Sequence, residues 1–228
     1  AVDVANATVD ATASLGIAAE SDTDVTLELN DTDTDTIVAT ETVTVASGQA
    51  DTSTTLEADF TDDATEGNNY ALEASTDAAY TSAGPVDVGT LSRGDSVSDT
   101  IDLDPENATV NASADLSDGP NQASTVEFRL LNDSDTEIDS ETVTNVNSAG
   151  ETDNVTLDAD FTTDGVDAGA TYDVVANVTT GDTNFTAGSN STSLSPGDNV
   201  DFTETGTGAL AVDVANATVD ATASLGIA

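Results

Sequence analysis

The sequence of 228 residues contains no cysteine, histidine, methionine or tryptophan, and its only cationic side chains are Arg93 and Arg129. Without cysteine there are no disulfides and no thiolate metal ligands. Without histidine the commonest general base is absent, together with every Ser-His or Cys-His pair. Carboxylate pairs of the glycosidase type remain, but 45 acidic residues supply such pairs at almost any separation. We therefore expect that the chain is not an enzyme.

Positive charge is nearly missing, because 45 Asp and Glu stand against 2 Arg and give a formal net charge of −43. Nucleic acids and anionic membrane surfaces are bound through Lys and Arg, so neither is an expected partner. Like charge at this density destabilises a compact state by self-repulsion, which salt screens. The composition is typical of proteins from extreme halophiles. No apolar run approaches the roughly 18 residues of a membrane-spanning segment, so none is predicted.

An internal repeat dominates the sequence. The first 18 residues, AVDVANATVDATASLGIA, recur without change as residues 211–228. Chance does not produce such a match, so the chain is interpreted as a window on a longer protein with a period of 210 residues. Residues 211–228 are then the first strand segment of a following repeat.

A weaker repeat divides the period into two halves. Segments beginning at Asn6, Val25 and Leu56 reappear 101 residues later in the same order. This constant offset predicts two homologous domains, residues 1–103 and 104–210.

Apolar residues occupy every second position in many short segments of both halves. Val25, Leu27 and Leu29 alternate with polar residues, and Gly, Asp, Asn and Ser clusters separate such segments. Period two places one face of a strand in a core and the other in water. Acidic chains that are poor in aromatic residues are often disordered, but this regular alternation argues against disorder. We predict an all-β fold of two tandem Ig-like antiparallel β-sandwich domains.

Two tyrosines support the sandwich prediction. Tyr70 and Tyr172 each follow a loop and begin a late strand. Ig-type sandwiches place a tyrosine at this corner, where its hydroxyl bonds back to the backbone a few residues upstream. An ordinary tyrosine at a strand edge is the alternative.

The order of segments in each half reads Asn-Ala-Thr-Val, Val-x-Leu/Phe-x-Leu, Glu-Thr-Val-Thr, Leu-x-Ala-Asp-Phe and a Tyr strand. This order resembles the Ig-like modules of haloarchaeal surface proteins, particularly the cell-adhesion-related CARDB-type domains. The resemblance covers most of both halves, and it implies tandem β-sandwich repeats of a surface or fibre protein.

The Asn-x-Ser/Thr motif is more frequent than chance predicts. Glycosylation at these sites would place the chain outside the cell, carrying N-linked glycans. The alternative explanation for the frequent motif is that Asn and Thr are common in the turns and at the strand edges of this chain. The candidate acceptors are Asn6, Asn30, Asn107, Asn111, Asn132, Asn154, Asn177, Asn184, Asn190 and Asn216.

One acidic run resembles the opening of a calcium loop. Asp31, Asp33 and Asp35 follow a predicted strand, but the sixth and twelfth positions are Thr36 and Thr42, where an EF-hand has Gly and Glu. The run is either a solvated hairpin loop or a site for Ca²⁺ or other cations. No cofactor is required.

These observations favour a structural function. The chain is expected to be a repeat unit of a secreted, acidic extracellular fibre, and its partners are other copies of itself or neighbouring repeats. The echoed segment supplies a candidate assembly strand with Val212, Val214, Val219 and Leu225. Either the repeats are covalently continuous or separate subunits donate strands. The alternative function is an adhesin or surface-layer module that recognises glycans or another cell.

Overall fold

The computed structural model describes residues 6–82, 84–116, 119–163, 165–181, 185–203 and 209–214. Within these residues the chain forms β-strands and no α-helix, which confirms the all-β prediction. The same part of the chain therefore has no helix with the length and apolarity needed to cross a membrane.

The strands that we call the first sandwich come from the first half of the chain. They are β1 (Ala7–Ser14), β2 (Thr23–Asp31), β3 (Thr36–Val45), β4 (Asp51–Ala58), β5 (Asn69–Thr76), β6 (Tyr80–Ser82), β7 (Val86–Thr90) and β8 (Ser96–Pro105).

The strands of the second sandwich are shorter and more numerous. They are β9 (Ala108–Ala112), β10 (Ala114–Leu116), β11 (Ser124–Leu131), β12 (Glu137–Val146), β13 (Gly150–Glu151), β14 (Val155–Ala159), β15 (Thr171–Thr180), β16 (Phe185–Thr186), β17 (Gly188–Ser193), β18 (Asn199–Phe202), β19 (Leu210–Ala211) and β20 (Asp213–Val214).

The first sandwich has two four-stranded sheets, in the orders β4-β1-β8-β6 and β3-β2-β5-β7. Strand β1 is antiparallel to β4 but parallel to β8, which departs from the fully antiparallel pairing that we expected. Alternation identifies strand residues but carries no information on strand direction. In a constant-type immunoglobulin sandwich the first two strands share a sheet, whereas β1 and β2 here lie in different sheets.

The second sandwich repeats this order with interruptions. Its sheets run β12-β11-β15-β17 and β14-β9-β18, and β9 and β18 are again parallel. Shorter sheets, β13-β10-β19 and β16-β20, continue the pairing where the longer strands stop. The interruptions fall in the strands that correspond to β1, β4 and β8.

The core follows the predicted alternation. Strand β1 buries every second residue from Ala7 to Ala13, and β2 does the same from Thr23 to Asp31. Burial of these apolar faces supplies the main free energy of folding. The largest fully buried side chains include Leu27, Leu29, Leu56, Tyr70, Phe128 and Tyr172.

The chain divides into two compact units, and neither is continuous in sequence. One comprises Ala1–Ala108, Ala159–Ala170 and Ser193–Asp198, and the other comprises Thr109–Asp158, Thr171–Thr192 and Asn199–Ala228. Strand β8 ends at Pro105 and β9 begins at Ala108. The boundary predicted between residues 103 and 104 stays a prediction.

Candidate functional site

The last strand of the second sandwich is built from separate pieces. Strand β18 pairs parallel with β9 and ends where Phe202 faces Ala112. Strand β19 then pairs parallel with β10, with Leu210 facing Ala114, and β20 pairs antiparallel with β16. Residues 210–214 therefore complete this sandwich, and four of them repeat residues 1–4 of the chain.

Ser113 lies between β9 and β10, where the paired strand changes from β18 to β19. Its amide donates to the carbonyl of Phe202 (3.2 Å), and its hydroxyl donates to the carbonyl of Thr203 (3.3 Å). Its own carbonyl accepts from the amide of Leu210 (2.9 Å). This fully buried residue thus bonds to Phe202 and Thr203 at the end of β18 and to Leu210 at the beginning of β19.

Close backbone contact holds the segment beyond Leu210. The amide of Val212 donates to the carbonyl of Asp115 (3.0 Å), and the Val212 side chain is fully buried. A Cβ placed on Gly188, in β17, would clash with the carbonyl oxygen of Ala211. The absence of a side chain at Gly188 therefore permits this approach of two backbones.

The first sandwich has one continuous strand in the equivalent place. Ile101 of β8 faces Ala13, as Leu210 faces Ala114 in the second sandwich. The end of β8 then pairs antiparallel with β6, as β20 pairs with β16. Residues 210–214 thus take the position in the second sandwich that residues 101–105 take in the first.

Two of the four predicted assembly-strand residues lie in the described chain. Val212 is buried, and Val214 belongs to β20. Both lie in the sandwich that precedes them in sequence. Val219 and Leu225 lie outside the described residues. The assignment of this segment as an assembly strand stays a prediction.

The acidic run after β2 forms the turn between β2 and β3. The Oδ1 atom of Asp31 accepts from two amides of the turn (3.1 and 3.3 Å), and its Oδ2 accepts from the side-chain amide of Asn68 (2.8 Å). The Oδ2 atom of Asp33 accepts from the backbone amide of Asn69 (2.9 Å). Asp31 is buried, so these donors replace the water that its carboxylate loses.

Asn132 holds the equivalent turn of the second sandwich without a charge. Its Oδ1 atom accepts from two turn amides, each at 3.0 Å. Asp35 and Asp135 have similar positive φ angles of 54° and 57°. The neutral side chain of Asn132 makes bonds that correspond to those of Asp31. The hydrogen bonds of the turn are therefore a sufficient reason for Asp31 to stand there, and they do not require a bound cation.

The described residues contain no group of three or more His, Cys, Asp or Glu that could hold a metal ion. The structure therefore does not bring Asp31, Asp33 and Asp35 together as a ligand set. A cation at these residues stays a prediction.

The candidate glycosylation sites differ in accessibility. Asn107, Asn154 and Asn190 are exposed, whereas Asn6, Asn30, Asn111, Asn132 and Asn177 are half-buried. The side-chain nitrogen of Asn30 donates to Glu73 Oε1 (3.1 Å), and that of Asn111 donates to Asn199 Oδ1 (3.1 Å). Asn184 and Asn216 lie outside the described residues. Glycosylation of any of these sites stays a prediction.

Tyr70 makes the predicted corner. Its hydroxyl donates to the carbonyl of Thr65 (2.8 Å) and accepts from the amide of Thr65 (2.9 Å). Burial raises the pKa of Tyr70, and the carboxylates of Asp31 and Asp33 add to this effect, while the bond to Thr65 opposes it. The hydroxyl therefore stays protonated and able to donate. Tyr172 is likewise buried at the start of β15.

A recurring turn was not predicted from the sequence. Asp59, Asp160 and Asp201 each accept from the amide and hydroxyl of the Thr two residues later, with the carboxylate Oδ1 2.5–2.9 Å from each donor. The pKa of each of these carboxyls is lowered. The bond from the Thr hydroxyl is the largest cause, and the bond from the Thr amide is the next. The signal available in the sequence is the tripeptide Asp-Phe-Thr, present at all three places.

Each sandwich also has a polar groove between two edge strands. Residues 39–41 and 55–57 line the groove between β3 and β4. Residues 141–144 and 153–156 line its equivalent between β12 and β14. The linings offer hydroxyls and carboxylates but no aromatic ring on which a sugar could stack.

The sequence matches no protein-family profile and no curated protein. The Bacillus anthracis TIE protein is similar in structure, with a TM-score of 0.44, 9% identity and coverage of 92% of this chain and 34% of that one. The GBS52 minor pilin of Streptococcus agalactiae gives a TM-score of 0.31 and 10% identity, and the match covers 96% of this chain and 100% of that pilin. The T-13 major pilin of Streptococcus pyogenes gives a TM-score of 0.33 and 10% identity, and the match covers 94% of this chain and 98% of that pilin. The chain thus spans about a third of the TIE protein.

Proposed function

We propose that the chain is a repeat unit of a secreted extracellular fibre, in which successive β-sandwiches follow one another along a covalent thread. One observation carries the proposal. Residues 211–214 complete the last strand of the second sandwich, and the same four residues stand at the start of the chain, two residues before the first strand. The repeated segment therefore bridges the end of one period and the beginning of the next.

The lengths of the connections support this arrangement. Between Pro105, which ends β8, and Ala108, which begins β9, two residues intervene. Between Val214, which ends β20, and Ala217, which repeats the first residue of β1, two residues also intervene. Each connection ends in Asn followed by Ala-Thr-Val. The same short connection would then join every sandwich to the next.

The charge supports a halophilic setting. Among the described residues Asp31 has the only buried carboxylate, so nearly all the acids there face solvent to some degree. At an ionic strength of about 0.1 M charges act over about 10 Å, but at about 1 M over only about 3 Å. We propose that the fibre belongs to the surface of a halophilic archaeon, where salt screens this repulsion.

N-linked glycans fit the same proposal at three sites. Asn107, Asn154 and Asn190 combine an acceptor motif with an exposed side chain. The half-buried Asn30 and Asn111 have side-chain nitrogens engaged in hydrogen bonds. We expect the exposed sites to be occupied before the engaged ones, which peptide mass spectrometry of native material would show.

The fibre proposal is tested by changing the number of periods. Polypeptides with one, two and three 210-residue periods, each ending in the echoed 18 residues, would be studied in molar salt. We expect X-ray scattering to show a maximum dimension that grows by a constant amount per period, and electron microscopy to show threads. Compact particles whose dimension barely grows would contradict the proposal. A flexible Gly-Ser insertion after Val214 is the matched control, and it should broaden the distribution of lengths.

A further inference from the structure

We infer that strand β3 pairs with β3 of a second copy of this chain, in an antiparallel register centred on Thr42, so that two first sandwiches share one continuous sheet. The inference goes beyond the fibre proposal, because it concerns association between chains rather than along one chain. It is carried by the unpaired edge of β3, by the small charge of that strand and by the symmetry of its regular part.

Strand β3 lies at the edge of its sheet. Within the described residues the sheet runs β3-β2-β5-β7, so β3 pairs with β2 on one side and has no paired strand on the other. It spans ten residues, and no strand of the described chain is longer. An unpaired edge presents backbone amides and carbonyls to a further strand, and proteins usually blunt such edges with charges, prolines or bulges.

Strand β3 has little of that protection. Eight of its ten residues are β-branched, none is Gly or Pro, and Glu41 is its only charged residue. The same strand carries Ile37, the one large hydrophobic side chain that is exposed within the described residues. In a chain with 45 acidic residues, β3 is therefore a weakly charged place where a second copy can approach. Such an edge favours the addition of a further strand.

The equivalent edge of the second sandwich is better protected. Strand β12 contains three acidic residues, Glu137, Asp139 and Glu141, and its pairing with β11 has two register shifts. The Oδ2 atom of Asp139 also accepts from the amide of Asp158 in β14 (2.8 Å), which fastens this edge to a neighbouring strand. Charges and bulges are the devices that block edge pairing. The contrast predicts association through β3 and not through β12.

The register follows from the regular part of β3. Its pairing with β2 is uninterrupted over residues 39–45, and the register shift lies before them. Thr42 is the middle residue of this run, so a two-fold register centred there pairs the whole run with that of the second copy. Thr42 then lies opposite Thr42 of the second copy, and Thr40 lies opposite Thr44. Centring on Glu41 would instead place two carboxylates directly opposite each other, which is unfavourable.

Threonines line one face of the run. Thr40, Thr42 and Thr44 are exposed, and in the centred register each of them faces a threonine of the second copy. Cross-strand threonine pairs contribute favourably to sheet pairing. Glu28 and Asp24 lie one strand further away, opposite Thr40 and Thr44 in β2. Association therefore requires molar salt, since charges act over only about 3 Å at 1 M.

The first experiment traps the pair as a disulfide, with the full chain in molar salt. The chain has no cysteine, so any disulfide must join introduced residues. In Thr42→Cys the two thiols lie directly opposite each other and within disulfide range. Oxidation should then give a covalent dimer at least tenfold faster than in Thr142→Cys. Thr142 is the matched control, because it is exposed and lies opposite Glu127 as Thr42 lies opposite Thr26.

The register is tested with two further cysteine variants. Position 40 of one copy faces position 44 of the other, so Thr40→Cys and Thr44→Cys should each form homodimers slowly. A mixture of the two should form the mixed disulfide at least tenfold faster than either variant links to itself. Fast linking of Thr40→Cys to itself would contradict the register centred on Thr42.

A second experiment measures association without a covalent trap. Sedimentation of the unaltered chain over a concentration series in molar salt should show dimers. Thr42→Glu and Thr42→Lys each place like charges opposite each other and should weaken dimerisation about threefold. A mixture of these two variants should recover it, because opposite charges then face each other, whereas misfolded variants would not recover. Thr142→Glu is the control and should dimerise like the unaltered chain.

The outcomes separate this inference from the fibre proposal. Equal rates of disulfide formation in Thr42→Cys and Thr142→Cys would overturn the inference, even if multi-period chains form threads. Dimers that persist unchanged in Thr42→Glu would place the contact elsewhere and would also overturn it. Fast linking confined to Thr42→Cys and to the mixture of Thr40→Cys with Thr44→Cys would support it, even if multi-period chains prove compact.

Discussion

The two sandwiches share a strand order but complete their last strand differently. In the first, β8 runs without interruption and pairs with both β1 and β6. In the second, Phe202 and Leu210 face Ala112 and Ala114, and the pairing is divided among β18, β19 and β20. The interruption places the final pieces in residues 210–214, at the repeat boundary. The comparison teaches that the second sandwich is finished by residues whose sequence also stands at the start of the chain.

A second contrast concerns charge in equivalent turns. Asp31 and Asn132 make corresponding hydrogen bonds to turn amides, although only one carries a charge. The acidic composition therefore reaches even positions where a neutral residue suffices. Asp31 is buried, so its charge does not add to the acidic surface of the first sandwich.

Removal of salt should have the largest effect, because it acts on all 45 acidic residues together. Charges that are screened beyond about 3 Å at 1 M interact over about 10 Å at 0.1 M. We expect the melting temperature to fall steeply on dilution, with β19 and β20 released before β8 because their pairings are shorter. Circular dichroism and amide exchange over a salt series would measure both. A melting temperature independent of salt would refute the halophilic interpretation.

Core truncation at paired positions sharpens the comparison. Ile101 and Leu210 are both buried and face equivalent alanines, Ala13 and Ala114. Ile101→Ala should destabilise the first sandwich by about 2–5 kcal/mol. Leu210→Ala should mainly release residues 210–214 locally, with a smaller loss of global stability. Chemical denaturation of both variants would compare them, and equal global losses would contradict a separable last strand.

The corner tyrosine gives a smaller expected effect. Tyr70→Phe removes the two hydrogen bonds with Thr65 and should cost about 0.5–1.5 kcal/mol per bond lost. The half-buried Tyr80 provides a Tyr→Phe control in the same sandwich. If denaturant titrations give Tyr70→Phe and Tyr80→Phe equal stability, the Tyr70 hydroxyl does not stabilise the corner, and Tyr70 is an ordinary tyrosine at a strand edge.

The Asp-Phe-Thr turns predict a small dependence on pH. The folded pKa of Asp59 is lowered by its bonds to Thr61. Its contribution is therefore complete above the unfolded value of about 3.9 and is lost as pH falls through the folded value. Asp59→Asn should be less stable than the unaltered chain at neutral pH, and the difference should shrink below about pH 4. Asp62→Asn, in the same turn, controls for the removed negative charge; an equal pH dependence in both would argue against the turn.

The sequence was sufficient to predict strands such as β2, because alternation at positions such as Val25, Leu27 and Leu29 reports burial directly. It also predicted the corner of Tyr70 from its place after a loop. The parallel pairing of β1 with β8 was missed, since side-chain pattern does not encode strand direction. The partner change at Ser113 was missed as well, because it depends on tertiary pairing across about 90 residues.

The most direct test of the account is amide hydrogen exchange of the intact chain in molar salt. The central claim is that residues 210–214 are part of the second sandwich, with the amides of Leu210 and Val212 bonded to Ser113 and Asp115. The account predicts that both amides exchange far more slowly than in an unstructured peptide of the same sequence. Exchange of both at the rate of that peptide would contradict it.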